Sequence, residues 1–394
     1  MKIGFHLGSI SDPIFIQNQI ISLLNKNVKI YLFGKKIKKN RYKIYEKANF
    51  FIAPKNNLFY LSFIIYNFLL LCVFKPKVFL TIIKYSKNIS KKSFIEKLDW
   101  WGTILPVLNN LPDIFHIQWA KSIDRWFFLK RLFNVKIVLS LRGTHINCSP
   151  IADKQLESLY KTLFPSIDQF HSVSNSLALN AIKYGADKNK IKVIRSPINF
   201  TSIQVIKKKW KIGKKIKLIS VGRYHWTKGY QYALSAIHKL KSKQFEIMYT
   251  IITKDNPSEE VLYQIVDQGL ENNIKLKSVE TQDEIFIEMV KSDCLILPSV
   301  EEGIANVVLE SMAVGLPVIS SDCGGMTELI INNVNGLLFK NRDYSNLAET
   351  LEYFIKMPNV DKEKIIQNAK ISILKKNNLD EIGLQMKNLY KSIF

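Results

Sequence analysis

The sequence predicts an α/β protein made of two doubly wound parallel sheets. Three observations lead there. Short, continuously apolar runs alternate with segments of helical spacing almost throughout the chain. Most runs end in Gly, Ser, Asp or Pro, as strands do when they feed a loop. The length of 394 residues suits two domains at about 150 residues each. Uninterrupted apolar strands between helices belong in parallel sheets covered on both faces, with sites at their carboxyl ends.

In chain order, the first series of strands is read at 2–8 (KIGFHLG), 28–34, 113–118, 135–143, 169–174 and 191–197. The opening MKIGFHLGSI reads as a buried strand rather than a secretory signal. The second series is read at 216–223, 248–254, 274–279, 293–299, 317–322 and 335–340. Between them, 196–215 (SPINFTSIQVIKKKWKIGKK) is rich in lysine, so the domains are set at 1–200 and 201–377. Leu379, Ile382, Met386, Leu389 and Ile393, at steps of three and four, form a closing amphipathic helix. The run 58–74 (LFYLSFIIYNFLLLCVF) holds no charge and is flanked by Lys55, Lys75 and Lys77. It is short for a span of about 20 residues and has Asn67 in its middle. Core helix, interfacial helix and span stay open.

Composition narrows the class. The four cysteines, Cys72, Cys148, Cys294 and Cys323, are far apart, with no C-x-x-C or Cys/His cluster. Zinc and disulfide frameworks are therefore not expected, and a reducing cytosol fits. The net charge of +24 admits nucleic acid or an anionic membrane as a partner, or a plain compositional bias toward lysine. Residues 1–100 carry 18 Lys/Arg against four Asp/Glu. That concentration favours a membrane-facing patch including Lys35, Lys36, Lys38, Lys39, Lys75 and Lys77.

The chemistry is concentrated in 298–325, PSVEEGIANVVLESMAVGLPVISSDCGG. Glu302 stands after a strand, in the turn that opens a helix from about Ala305. Glu310 is eight residues on, about 12 Å at helical rise and about 80° away in azimuth. The two carboxylates are too far apart to share a proton and instead suit two hydroxyl-bearing ends of one ligand. Between them the helix-tip amides of Gly303, Ile304, Ala305, Asn306 and Val307 attract an anion. Hydroxyls, phosphate and hydroxyls describe a nucleotide sugar. In SVGRYHWTKGYQYAL (220–234), Arg223 at a strand end and Lys228 in the following loop supply the counter-charge for a diphosphate. His225 reads as a loop residue. There is no Walker A pattern, no G-x-G-x-x-G after a strand and no Asp-x-Asp, so neither a metal nor another cofactor is expected.

These motifs over 216–340 resemble family 4 of the retaining glycosyltransferases, whose hallmark is Glu, seven residues, Glu. The resemblance implies the GT-B fold, two Rossmann-like domains facing a central cleft, with the closing helix (378–394) crossing back to complete the first. It implies Glu302 at the donor sugar, Glu310 at the ribose, Arg223 and Lys228 at the diphosphate, and no metal. The first half matches more loosely. HLGSISDPIFIQNQI resembles the family's first loop and helix, with Gly8 and Ser9 near the diphosphate. DIFHIQWA resembles a strand ending in His-x-His, keeping His116 as an active-site contact but placing Gln118 second. LSLRGTH places Arg142 and Gly143 at the substrate, with His145 where the family carries Asp.

The expected function is retaining, metal-independent transfer from a nucleotide sugar to a growing, lipid-linked surface polysaccharide or related glycan. The catalytic set is Glu302, Arg223, Lys228 and His116, in a cytoplasmic protein peripheral to the inner membrane face. A sugar-nucleotide epimerase of the same fold and a basic nucleic-acid-binding protein are the competing readings. The second has no recognised nucleic-acid motif behind it.

Overall fold

The computed structural model describes residues 1–8, 13–35, 45–54, 57–87, 93–203, 215–279 and 281–394. The chain divides into two compact units. One comprises 1–173, 178–197 and 379–394; the other comprises 174–177 and 198–378.

Among the described residues, the first unit holds a seven-stranded sheet. Its strands are β1 (Lys2–Leu7), β2 (Lys29–Lys35), β3 (Asn49–Ala53), β4 (Ile114–Ile117), β5 (Lys136–Leu141), β6 (Gln169–Ser172) and β7 (Ile191–Val193), in the order β3-β2-β1-β4-β5-β6-β7. Every pairing is parallel. The second unit's six strands are β8 (Ile216–Val221), β9 (Ile247–Thr253), β10 (Ile274–Ser278), β11 (Cys294–Leu297), β12 (Val318–Ser321) and β13 (Leu337–Phe339), in the order β10-β9-β8-β11-β12-β13. They too are all parallel. Strand order reverses at β1/β4 in one sheet and at β8/β11 in the other. Loops leave in opposite directions there and open a crevice at the carboxyl edge. One strand, β3, falls outside the runs read from sequence.

The helices that matter below are α1 (Ile14–Leu24), α2 (Asn57–Phe74), α3 (Pro76–Ser86), α4 (Phe94–Asn109), α5 (Tyr230–Ser242), α6 (Gln282–Lys291), α7 (Asn306–Val314) and α8 (Leu379–Lys391). The closing helix α8 packs on α1 within the first unit. Ile382, Met386, Leu389 and Tyr390 join the core around Ile3, Ile16, Ile20 and Leu23. Gly383 comes so close to the Ser22 carbonyl that a Cβ there would overlap it, and Lys26 pairs with Asp380 at 2.7 Å. No helix among the described residues is long and apolar enough to cross a membrane, which removes the span from the readings of 58–74.

Candidate active site

The second unit's switch point is built by the loops after β8 and β11. After β8 the chain makes a short turn, Trp226–Lys228, and enters α5 through Gly229. Gly229 has φ 63°, and a Cβ would strike the Pro298 carbonyl, so only glycine fits. The Val300 amide donates to the Thr227 carbonyl at 2.7 Å and locks the two loops together. Tyr230 donates to the Gly222 carbonyl at 2.8 Å. In this frame Lys228 Nζ lies 2.5 Å from Glu302 Oε1, and Ser299 Oγ donates to the same oxygen at 2.9 Å. An ammonium has three N–H donors, so Lys228 keeps two for another acceptor. Arg223 is exposed at the same strand end. His225 caps the turn through Thr227. Partial burial, then Arg223 and Lys228, lower its pKa, which suits a neutral loop residue.

The loop from Ser299 to Ala305 is held from behind. Its carbonyls accept from Ser321 Oγ at Ser299, Asn341 Nδ2 at Val300 and the Gly325 amide at Glu302. Added Cβ atoms on Gly324 and Gly325 would overlap the carbonyls of Glu302 and Gly303. On the other side, the amides of Gly303, Ile304, Ala305, Asn306 and Val307 donate to no acceptor among the described residues. The N-cap of α7 is Ala305, which offers no side-chain cap. Asn306 Oδ1 is buried without a hydrogen-bond partner among them. An uncapped helix start with amides that meet no acceptor, beside a lysine, is a region of positive potential.

Glu310 sits on α7, largely buried, and accepts from Gln282 Nε2 at 2.7 Å. Burial raises its carboxyl to about 7, although the Gln282 bond pulls the other way. Gln282 was not singled out from sequence. Its one local signal is the capping box of Thr281 and Glu284 that starts α6. The uniform helical rise assumed between the two glutamates is corrected here. Glu302 stands on irregular backbone, and the helix begins only at Asn306.

In the first unit the β1/β4 switch point opens a cavity of about 460 Å³ whose lining includes Gly8, Gln118, Trp119, Ser122, Arg125 and Trp126. Ser9 lies outside the described residues. Arg142, at the end of β5, is buried. It donates to Gln19 Oε1 and Gln118 Oε1, both at 3.0 Å, and stacks on Phe15. Burial lowers its pKa to about 9. Gly143 next to it has φ 43° and, among the described residues beyond its chain neighbours, no atom within 4 Å of where a Cβ would be.

His116 lines the same cavity. It is completely buried. Its Nδ1 meets Tyr390 Oη at 2.7 Å and its Nε2 meets Ser140 Oγ at 2.9 Å. Ser140 in turn meets His171, which reaches the Ile194 carbonyl. With both ring nitrogens engaged, His116 ties α8 to the sheet.

The whole chain superposes on the Anabaena protein Alr3699/HepE, solved in complex with UDP and glucose, with a TM-score of 0.72 over 100% of both chains at 16% identity. The fold is therefore that of the GT-B glycosyltransferases. Residues 202–372 match the family model described as Glycosyl transferases group 1. Among curated relatives, the amylovoran biosynthesis glycosyltransferase AmsK of Erwinia amylovora is 30% identical over 247 residues, 61% of this chain and 60% of its own. The N,N'-diacetylbacillosaminyl-diphospho-undecaprenol alpha-1,3-N-acetylgalactosaminyltransferase of Campylobacter jejuni is 31% identical over 63% of this chain and 65% of its own. The match thus spans less than two thirds of either relative.

Proposed function

We propose that the protein is a retaining, metal-independent glycosyltransferase. It moves a sugar from a nucleoside-diphosphate sugar to a lipid-linked acceptor in the synthesis of a surface polysaccharide or related glycan. It works in the cytoplasm, peripherally at the inner face of the membrane. The observation that carries this reading is the Lys228–Glu302 pair beside the uncapped tip of α7, with Glu310 two turns along the same segment. Diphosphate oxygens suit the free amides, Lys228 and Arg223; ribose hydroxyls suit Glu310; sugar hydroxyls suit Glu302. The acceptor is assigned to the first domain, whose switch-point cavity mixes indole faces with Gln118, Ser122 and Arg125.

In the transfer, an acceptor hydroxyl oxygen bonds to the anomeric carbon as the bond from that carbon to the diphosphate oxygen breaks. The electron pair goes to the leaving phosphate, where Lys228, Arg223 and the amides meet the growing charge. The departing oxygen takes the acceptor proton on the same face, so configuration is kept and no side-chain base is needed. The names of the relatives support a glycan product, and the UDP and glucose of the Anabaena structure support a nucleotide-sugar donor. A thermal-shift panel of UDP-, GDP-, ADP- and dTDP-sugars tests the reading, followed by product analysis with the stabilising donor. One nucleotide class should stabilise the protein. Absence of any shift, or conversion of the donor sugar without an acceptor, would overturn the proposal.

A further inference from the structure

We propose that α2 is an interfacial anchor whose outer face buries apolar side chains in an anionic lipid bilayer, and that the groove beside it receives one hydrocarbon chain. The proposal rests on the membrane location given above and names the surface and the mode of attachment.

The helix has three sides. The inner side is fixed to the domain: Ile64 and Leu71 are buried, and Phe68 packs edge-on to Phe79 of α3 and Trp101 of α4. Asn67 is the polar residue that interrupts the apolar run. It is buried, and Asn109 Nδ2 donates to both its backbone carbonyl and its side-chain oxygen. The outer side carries Leu61, Ile65, Leu69 and Val73, a stripe at steps of four. Their exposures are 46%, 52%, 58% and 68%. That spacing normally faces a core, and here it faces outward. The third side borders a groove of about 550 Å³ between α2, edge strand β3 and the end of α4. Phe51, Phe63, Tyr66, Leu70, Phe74 and Pro106 contribute to its lining.

Charge selects the occupant. Residues 47–95 contain eight lysines and no Asp or Glu. Among them Lys77, Lys84 and Lys87 are exposed. Lys75 donates to the carbonyls of Leu108 and Asn109 and borders the groove, so it acts in the fold. Lys35 pairs with Asp99, while Lys36, Lys38 and Lys39 lie outside the described residues. A second copy on this face would bring the same acid-free segments together across a two-fold axis, lysine against lysine. An anionic bilayer offers hydrocarbon for the stripe and headgroups for the lysines.

The test is co-sedimentation of the full chain with phosphatidylcholine vesicles, with and without phosphatidylglycerol, at low and high salt. Wild type should bind the anionic vesicles, and a large fraction should stay bound at high salt. Ile65→Ser/Leu69→Ser/Val73→Ser alters only exposed side chains and should lower vesicle partitioning at least tenfold, while binding of the stabilising sugar nucleotide is unchanged. A photoreactive acyl chain on phosphatidylglycerol should crosslink to Phe63 or Leu70. Complete release by salt with no effect of the triple variant would overturn the anchor. So would a dimer abolished by that variant without vesicle binding, and crosslinking elsewhere would overturn the groove. Nucleotide binding is read without vesicles, so failure of the anchor and failure of the proposed activity are separable.

Discussion

Glu310 shows how one residue carries two opposed terms. Its folded pKa, about 7, is above the ordinary carboxylate value of 4.5. The charged form is therefore disfavoured on folding. No penalty is present below the unfolded pKa; it grows between 4.5 and 7 and is constant above. Allowing for residual exposure, it is on the order of 2 kcal/mol. Glu310→Gln should raise the thermal midpoint at pH 8 and leave it unchanged at pH 4.5. In calorimetry the same variant should weaken nucleoside diphosphate by about tenfold or more, through lost charge-assisted hydrogen bonds. Replacing Arg223 and Lys228 together by Ala should lower turnover by about a hundredfold or more, since the charge they meet peaks in the transition state. Steady-state rates of the wild type should be insensitive to chelators. Glu302, Lys228, Arg223 and Glu310 were legible in the sequence because one strand-turn-helix and one neighbouring loop bring them forward locally. The surroundings of His116 and Arg142 were not. Their partners, Tyr390, Ser140, Gln19 and Gln118, are 24 to 274 positions away, and no local pattern announces them.

Elements were more readable than their orientations. Twelve strands coincide with apolar runs because a strand buried on both faces has no polar alternation to obscure it. β3 was missed because it lies at the sheet edge with Phe50, Phe51 and Ile52 half-buried, on a short run closed by Pro54. For α2 the run was evident, but which side faced protein was decided by Asn109 and Trp101, far along the chain. The loop before α7 depends on glycine packing that sequence only hints at. Gly325→Ala would drive a Cβ into the Gly303 carbonyl. It should destabilise the second domain by more than about 2 kcal/mol and weaken nucleotide binding. Among the described residues, and leaving its chain neighbours aside, Gly8→Ala meets no atom within 4 Å, and it should leave stability within about 0.5 kcal/mol of wild type in denaturant titrations.

At the scale of the molecule, the two domains differ in their response to acid. His116 and His171 are buried in the first, and His6 is half-buried. Burial lowers His6 and His171 to about 3 and holds His116 well below its usual range. A folded pKa below the unfolded 6.5 means that this stability is complete above pH 6.5. It is lost as the pH falls from there toward 3, because the unfolded chain takes up protons first. At pH 5 the cost is about 2 kcal/mol for each independent histidine, less than additive for the coupled His116–Ser140–His171 chain. In the second domain Glu310 works the other way. Calorimetric scans from pH 7.5 to 5 should show a first-domain transition moving down steeply while the second moves little. Hydrogen exchange would assign each transition. Parallel shifts of both would contradict the assignment.

The placement of α8 bears on how the chain is made. This helix belongs to the first domain's core, yet the ribosome delivers it after the whole of the second domain. Until residues 379–394 emerge, the face of α1 that meets Met386 and Leu389 lies open, and His116 lacks the hydroxyl of Tyr390. Domains fold as units during synthesis, so the second domain can mature first although it is encoded second. The first must wait, with its apolar helix face uncovered, through the translation of about 180 residues. A message truncated before codon 379 would yield a finished second domain tethered to an incomplete first. Such a product is what chaperones and proteases recognise.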